Sequence, residues 1–188
     1  MSHKVLNAIG IMTGTSLDGV DAALLRTDGE LQLEYLDTAF TPFPVDLKQK
    51  LHLLLEGEFS IAQYCHIEKE YTEFCYNAIR PILEKSDVDL IGFHGQTLYH
   101  APSDYITHQM GNAKYLAKLS GKNVIGDFRT DDIMAGGQGA PLAPIFHKAI
   151  IKAEAPVAVL NIGGVSNITY IEGDKVIAFD IAPGSAPL

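Results

Sequence analysis

The segment Thr13-Gly-Thr-Ser-Leu-Asp-Gly19 crowds hydroxyls, glycines and a carboxylate between two apolar runs near the start of the chain. Gly14 and Gly19 let the backbone turn tightly and approach a ligand, and Thr13, Thr15 and Ser16 offer hydroxyl donors beside backbone N–H groups that can face phosphate oxygens. Asp18, with Asp21 after Gly19 and Val20, offers a carboxylate to a phosphate-bound Mg²⁺ ion or to a catalytic water. An ordinary polar hairpin turn fits the same residues. The plan recurs late in the chain, at Asn161-Ile-Gly-Gly-Val-Ser-Asn167, where Asn161, Gly163, Gly164, Ser166 and Asn167 form a second strand-turn-strand phosphate candidate. Two such hairpins can clamp a nucleotide's phosphates in a cleft between them, whereas two unrelated meanders are the alternative.

Three further segments carry chemistry. Gly92-Phe-His-Gly-Gln-Thr-Leu-Tyr-His-Ala-Pro102 follows a buried strand and presents His94, Gln96, Thr97 and His100, a set suited to hydroxyl recognition on a sugar. A core-facing His94 is the competing reading. Gly126-Asp-Phe-Arg-Thr-Asp-Asp132 runs into Gly136-Gly-Gln-Gly-Ala-Pro-Leu142, a loop that includes Gly137 and Gln138. The planar fork of Arg129 can hold a carboxylate or phosphate while Asp127, Asp131 or Asp132 orients it, or Arg129 pairs structurally with one of these carboxylates. Asp180 ends an apolar strand before a Pro-Gly turn, where it serves either as the base that phosphoryl transfer requires or as a turn cap.

The elements that must position these residues read as α/β. Lys4 to Met12, Val20 to Thr27 and Leu31 to Phe40 form an N-terminal meander, with Asp28-Gly29 as a hairpin signal. Helical spacing follows over Val45 to Glu56 and over Ser60 to Lys85, the latter capped by Ser60 and containing Pro81. Val88 to Phe93 reads as a buried strand running into a polar loop. Asn112 to Ser120 reads as a helix closed by Gly121, and Asn123 to Ile125 as a short strand. Gly126 to Pro144 is too irregular for one element. Beyond it lie a helix over Leu142 to Ala153 and a second meander over Pro156 to Ile162, Ser166 to Glu172 and Val176 to Asp180.

Composition bounds the function. A chain of 188 residues, 47% hydrophobic, has enough apolar content for a packed core and the length for one large domain or for one domain and part of another. The net charge of −9 opposes nonspecific binding to nucleic acid or an anionic membrane and favours a small-molecule partner. The absence of a long apolar run and the polar start Met-Ser-His-Lys point to a cytoplasmic protein. Cys65 and Cys75 lie on one helix, separated by roughly 15 Å of helix rise, and read as reduced core thiols.

Taken together, Met12 to Val20, Gly92 to Pro102, Gly111-Asn112, Asp127 to Pro144 and Leu160 to Asn167 resemble, in order and across nearly the whole chain, the 1,6-anhydro-N-acetylmuramic acid kinase family of bacterial cell-wall recycling. The resemblance implies an actin-like sugar-kinase fold of two ribonuclease-H-like lobes, with ATP and substrate between them. It implies that water attacks the anhydro bond while the sugar oxygen takes the γ-phosphoryl group, giving N-acetylmuramic acid 6-phosphate. Thr13, Gly14, Thr15, Ser16, Leu17, Asp18, Gly19 and Val20 would then form the ATP phosphate loop, and Asn161 to Asn167 the phosphate hairpin of the second lobe. Asp180 would activate water and Arg129 would serve the reaction. His94, Gln96, Thr97, Gly137 and Gln138 would surround the sugar, and Asp18 would stand nearest Mg²⁺.

The chain departs from the family pattern after the base, where Asp180-Ile-Ala-Pro-Gly-Ser185 stands in place of Asp-Thr-Gly-Pro-Gly-Asn. Polar groups and backbone freedom are thereby lost beside Asp180. The resemblance also implies a first lobe over residues 1–128 and, over 129–188, a hinge with an incomplete second lobe. Three expectations follow for this chain: a kinase whose remaining half comes from a separate chain or has been lost from this sequence, a sugar- or phosphate-binding remnant, or an oligomerising scaffold such as a homodimer.

Overall fold

Alternation of apolar and polar residues draws the N-terminal segment into β1 (Leu6–Thr13), β2 (Gly19–Thr27) and β3 (Leu33–Pro42). The computed structural model describes residues 4–30, 32–151, 155–163 and 165–183. These strands pair antiparallel in sequence, and Gly29, at φ 81°, turns the chain between the second and third as the Asp28-Gly29 signal predicts. Two parallel strands, β4 (Leu90–Phe93) and β7 (Asn123–Gly126), extend the sheet on the other side of β1, giving the order β3-β2-β1-β4-β7. This five-stranded mixed sheet with its flanking helices is the α/β arrangement expected from the sequence.

One face of the sheet is covered by α1 (Val45–Glu56), α2 (Ile61–Lys85) and α3 (Ala113–Ser120). Ile9, Ile11, Leu24 and Ile91 meet Leu51, Tyr71, Ile79 and Leu116 in one buried cluster. Each such side chain contributes about 1.5–3 kcal/mol on full burial. Ser60 begins α2 with a reciprocal capping box, in which Gln63 N–H donates to Ser60 Oγ at 3.2 Å and Ser60 N–H donates to Gln63 Oε1 at 2.8 Å. Asn112 caps α3 through Tyr115 N–H, and Gly121 closes it in the left-handed conformation.

The structure differs from the sequence reading after β4 and at Cys65. Beyond β4 the chain does not stay a loop: β5 (Gln96–Ala101) and β6 (Ile106–Met110) pair as a hairpin across a single 3-10 turn at Pro102–Asp104. The stretch after β7 is not one element, as expected: it holds a five-residue helix, α4 (Thr130–Met134), whose first turn closes through Ile133 N–H to the Arg129 carbonyl at 3.1 Å, followed by a loop. Cys75 is buried as expected, but Cys65 is exposed, since it lies off the core-facing stripe of α2.

The later segment forms α5 (Ala143–Ile150) and a separate antiparallel sheet of β8 (Val157–Ile162), β9 (Val165–Glu172) and β10 (Lys175–Pro183), ordered β10-β9-β8. Residues 152–154, at the end of the helix expected over Leu142 to Ala153, lie outside the described residues. His147 of α5 bonds Thr169 of β9 at 3.0 Å, so α5 lies on the face that carries Thr169. The opposite face exposes Leu160, Ile162, Ile177 and Phe179.

Candidate functional site

Every motif residue of the first sheet sits at the carboxyl end of β1 or β4, or on the segment just after β7. That edge of a sheet with parallel strands is where open α/β folds bind ligands. The turn between β1 and β2 closes through Leu17 N–H to Gly14 C=O at 3.2 Å, with Leu17 at φ 53° and its side chain wholly buried. Burying Leu17 pins the turn from below and leaves Thr15, Ser16 and Asp18 exposed above. Gly19 is obligatory: a Cβ there would run into the Thr41 carbonyl and sit 2.8 Å from Pro42 Cα. Val20 is a core residue, so it and Leu17 serve the loop as its anchors.

Thr13 differs from its neighbours. It is buried, and its hydroxyl lies 2.9 Å from Tyr71 Oη and 3.3 Å from the Gly95 carbonyl. The carbonyl can only accept, so Thr13 donates to it and Tyr71 donates to Thr13. The Thr13 hydroxyl is therefore spent inside the protein, joining the first turn to the segment after β4. Burial raises the Tyr71 phenol well above its ordinary range, which keeps it a donor.

The Gly95 carbonyl also accepts from His94 Nδ1 at 2.7 Å, and His94 Nε2 accepts from Arg129 Nε at 2.9 Å. Arg129 Nη1 donates to the Gly139 carbonyl, and Gly139 N–H donates to Asp132 Oδ2 at 2.6 Å. One hydrogen-bonded chain thus runs from Tyr71 and Thr13 through Gly95, His94 and Arg129 to the 136–142 loop. Gly95 is held at φ 77°, where a Cβ would meet the Met110 carbonyl at 2.5 Å, and Gly137 leaves room for the Asp132 carboxylate. Burial lowers the Arg129 pKa, and burial with the nearby Arg129 charge lowers that of His94 against the opposing Gly95 hydrogen bond.

Of the three carboxylates expected to orient Arg129, Asp132 does so indirectly, by holding Gly139, and direct pairing of Arg129 with an aspartate is not what the structure shows. Asp127 accepts from Thr130, Asp132 holds Gly139, and among the described residues no carboxylate stands within ion-pair distance of the guanidinium. His94, read as a sugar contact, has both ring nitrogens engaged by protein groups in this structure. His100 lies out on the β5–β6 hairpin, bonded to Thr107 at 3.0 Å. Gln96 is fully buried, and its Oε1 lacks a hydrogen-bond partner among the described residues. Thr97 stands opposite Gln109, whose amide reaches it at 3.5 Å. Gly137 and Gln138 are exposed on their loop.

Beside this chain lies a cleft of about 370 Å³ lined by His94, Gly95, His108, Gln109, Asp127 and Thr130 among others. Asp18 keeps a side chain 69% exposed, 3.8 Å from Lys48 Nζ. No group of three or more His, Cys, Asp or Glu side chains able to hold a metal by themselves occurs among the described residues. A single carboxylate of this kind suits Mg²⁺ that is bound mainly through phosphates and waters.

In the second sheet the register sets Asn161 opposite Asn167 and Asn167 opposite Asp180, so the three form one row across β8, β9 and β10. Asp180 is not the end of its strand as expected; β10 continues past it through an irregularity between Asp180 and Ala182. Asp180 is exposed, and Ser166 pairs with Ile162 next to the turn. Gly163 belongs to that turn, while Gly164 and Ser185 lie outside the described residues. Among the described residues no hydrogen bond carries the Arg129 chain across to Asp180. Motif reading does not reach Tyr71 or the Gly95 carbonyl. The available signal for Tyr71 is a phenol on the buried stripe of α2, which must find a polar partner.

Comparison with known proteins matches residues 6–188 to the family described as anhydro-N-acetylmuramic acid kinase. Relatives called anhydro-N-acetylmuramic acid kinase include one from Bradyrhizobium diazoefficiens, 42% identical over 98% of this chain and 54% of the relative. Another, from Paramagnetospirillum magneticum, is 42% identical over 96% and 52%. A third, from Hahella chejuensis, is 45% identical over 94% and 50%. The chain spans about half the length of the curated relatives it matches. Among solved structures, a reductive activator for corrinoid,iron-sulfur protein aligns with 96% of this chain and 31% of its own at 12% identity and a TM-score of 0.41.

Proposed function

Because this chain belongs to the anhydro-N-acetylmuramic acid kinase family, we propose that it contributes the phosphate loop, the sugar-side arginine and the water-activating base of a kinase acting on 1,6-anhydro-N-acetylmuramic acid. In this reading water adds at the anomeric carbon and the bond from that carbon to O6 breaks. O6 takes the γ-phosphoryl group as the bond joining it to ADP breaks, and N-acetylmuramic acid 6-phosphate and ADP result. Asp180 accepts the proton of the attacking water. Arg129 grips an anionic group of the sugar or of the phosphoryl in transfer.

ATP with Mg²⁺, when bound, supplies the phosphoryl group and the divalent charge that offsets the phosphates. The residues suited to hold it are Gly14, Thr15, Ser16 and Asp18 on the first hairpin, with Asn161, Gly163, Ser166 and Asn167 on the second. Exposure of the Thr15 and Ser16 side chains supports that assignment. Residues 1–128 act as one lobe and 129–188 as the hinge and opening of another. Because the relatives are about twice as long, the whole reaction is assigned to this chain together with the polypeptide that completes the second lobe. The exposed apolar face of Leu160, Ile162, Ile177 and Phe179 supports coverage by such a polypeptide or by a second copy of this chain.

The single observation that carries the reading is Arg129: a half-buried cation held by an imidazole nitrogen and a carbonyl, both neutral, with its charge left for a ligand. The test mixes the chain with ATP, Mg²⁺ and 1,6-anhydro-N-acetylmuramic acid, alone and with a polypeptide matching the remaining half of a relative, and follows sugar 6-phosphate by mass spectrometry. Product that disappears with Asp180→Asn is the expected result. No product in either mixture overturns the kinase reading for this chain. A binding-only reading draws on Ile181, an exposed apolar residue beside Asp180, and its signature is saturable sugar binding without turnover.

A further inference from the structure

We propose that His94 is a positioning residue: its neutral, Nδ1-protonated imidazole aims the Arg129 guanidinium, and protonation at Nε2 releases it. The proposal rests on the reading of Arg129 as the group that grips an anion.

The geometry fixes the protonation state without a choice of tautomer. The Gly95 carbonyl can only accept, so the nitrogen 2.7 Å from it, Nδ1, carries the proton. Arg129 Nε can only donate, so the nitrogen 2.9 Å from it, Nε2, is bare. A proton added at Nε2 would set N–H against N–H and one positive charge against another.

Both ends of the strut are anchored. The Gly95 carbonyl is tied by the buried Thr13 hydroxyl, and the His94 backbone N–H donates to the Ile11 carbonyl of β1 at 3.2 Å. The second hold on Arg129, the Gly139 carbonyl, is fixed independently through Asp132. Arg129 thus donates to one acceptor that carries no titrating proton, the Gly139 carbonyl, and to one that can take a proton, the His94 imidazole. A neutral imidazole in this place leaves the guanidinium charge uncompensated, whereas a carboxylate would consume it.

The titratable and charged groups around His94 come from each neighbouring element. Arg129 approaches from the segment ahead of α4, Asp127 lines the same cleft from the end of β7, and His108 lines it from β6. Behind His108 stand Tyr64 and Glu68 of α2, with Tyr64 Oη 2.7 Å from His108 Nε2 and 3.0 Å from Glu68 Oε1. Asp127 is occupied by Thr130, and among the described residues His94 has no carboxylate hydrogen-bond partner to favour its protonated form. Burial opposes that form as well.

The experiment uses the full chain labelled with ¹⁵N-histidine and ¹⁵N-arginine, with no ligand present. At pH 7.5 the His94 signals should report a protonated Nδ1 and a bare Nε2, and the Arg129 Nε–H should be protected from solvent exchange. Acidification through the His94 transition should lower the protection factor of that Nε–H, the intrinsic exchange rate at each pH over the observed one, about 10- to 150-fold, the loss expected for one hydrogen bond to a charged group. His94→Gln, which offers a carbonyl acceptor, should keep the protection and abolish its pH step, and His94→Phe should remove the protection at every pH. An Nε2-protonated His94, or Arg129 exchange that does not follow the His94 titration in the wild-type chain, overturns the proposal even if His94→Phe fails to fold. Intact His94-dependent protection with no anion binding at Arg129 instead overturns the ligand reading alone.

Discussion

The hydrogen bond between Tyr71 and Thr13 links the core to the functional edge, and its worth can be measured by a double-mutant cycle. The pair is 2.9 Å apart and both residues are buried. Tyr71→Phe removes the donor and costs about 1 kcal/mol, the net value of one such bond. Thr13→Val removes the partner of the Tyr71 hydroxyl and one donor to the Gly95 carbonyl, stranding a buried phenol at a cost of about 1–3 kcal/mol. In the double variant the phenol is gone, so the stranding penalty vanishes and the total falls short of the sum by about 1 kcal/mol. Urea unfolding followed by circular dichroism gives the four stabilities. Additivity within about 0.3 kcal/mol would mean that the two hydroxyls are not coupled and would refute the chain of hydrogen bonds at its first link.

Three other perturbations have definite outcomes. Gly19→Ala forces the turn against Thr41 and Pro42 and should lower stability by about 1–3 kcal/mol, whereas Gly10→Ala, where a Cβ meets nothing within 4 Å, should be neutral or slightly stabilising in the same urea experiment. Because the folded state lowers the His94 pKa, the unfolded chain binds more protons in acid. The His94 contribution is present above the ordinary histidine value of about 6.5 and is lost as pH falls through the lower folded value. His94→Gln should remove that component from the stability–pH curve. A disulfide-exchange reagent should label Cys65 rapidly and Cys75 only on unfolding, since burial pushes the Cys75 thiol up to about 12; two fast thiols would contradict the buried position.

Much of the fold was legible because its elements announce themselves locally. Strand alternation and Asp28-Gly29 give the first meander, Ser60 with Gln63 starts α2, and Asn112 and Gly121 bracket α3. The β5–β6 hairpin was hidden because polar residues such as Thr97, His100, Thr107 and Gln109 alternate only weakly with apolar ones, and its turn is a Pro-Ser-Asp 3-10 segment. The motifs located the functional edge, but not who holds whom. A sequence shows acids near Arg129, so an Asp partner is the natural guess. The choice of His94 depends on β4 and β7 lying side by side, a long-range pairing with no local signature. Likewise Thr13 reads as a phosphate donor until the packing of α2 brings the Tyr71 phenol beneath it.

The central claim is that Arg129, held by neutral acceptors, is the cationic grip of a ligand site built by this chain. Calorimetric titration with 1,6-anhydro-N-acetylmuramic acid, and separately with Mg-ATP, tests it directly in the wild-type chain and in Arg129→Met. Saturable binding of at least one ligand, weakened about 10- to 150-fold in the variant by loss of a charge-assisted contact of about 1.5–3 kcal/mol, is the predicted result. Equal affinities in the two proteins, with the variant still folded, would contradict it.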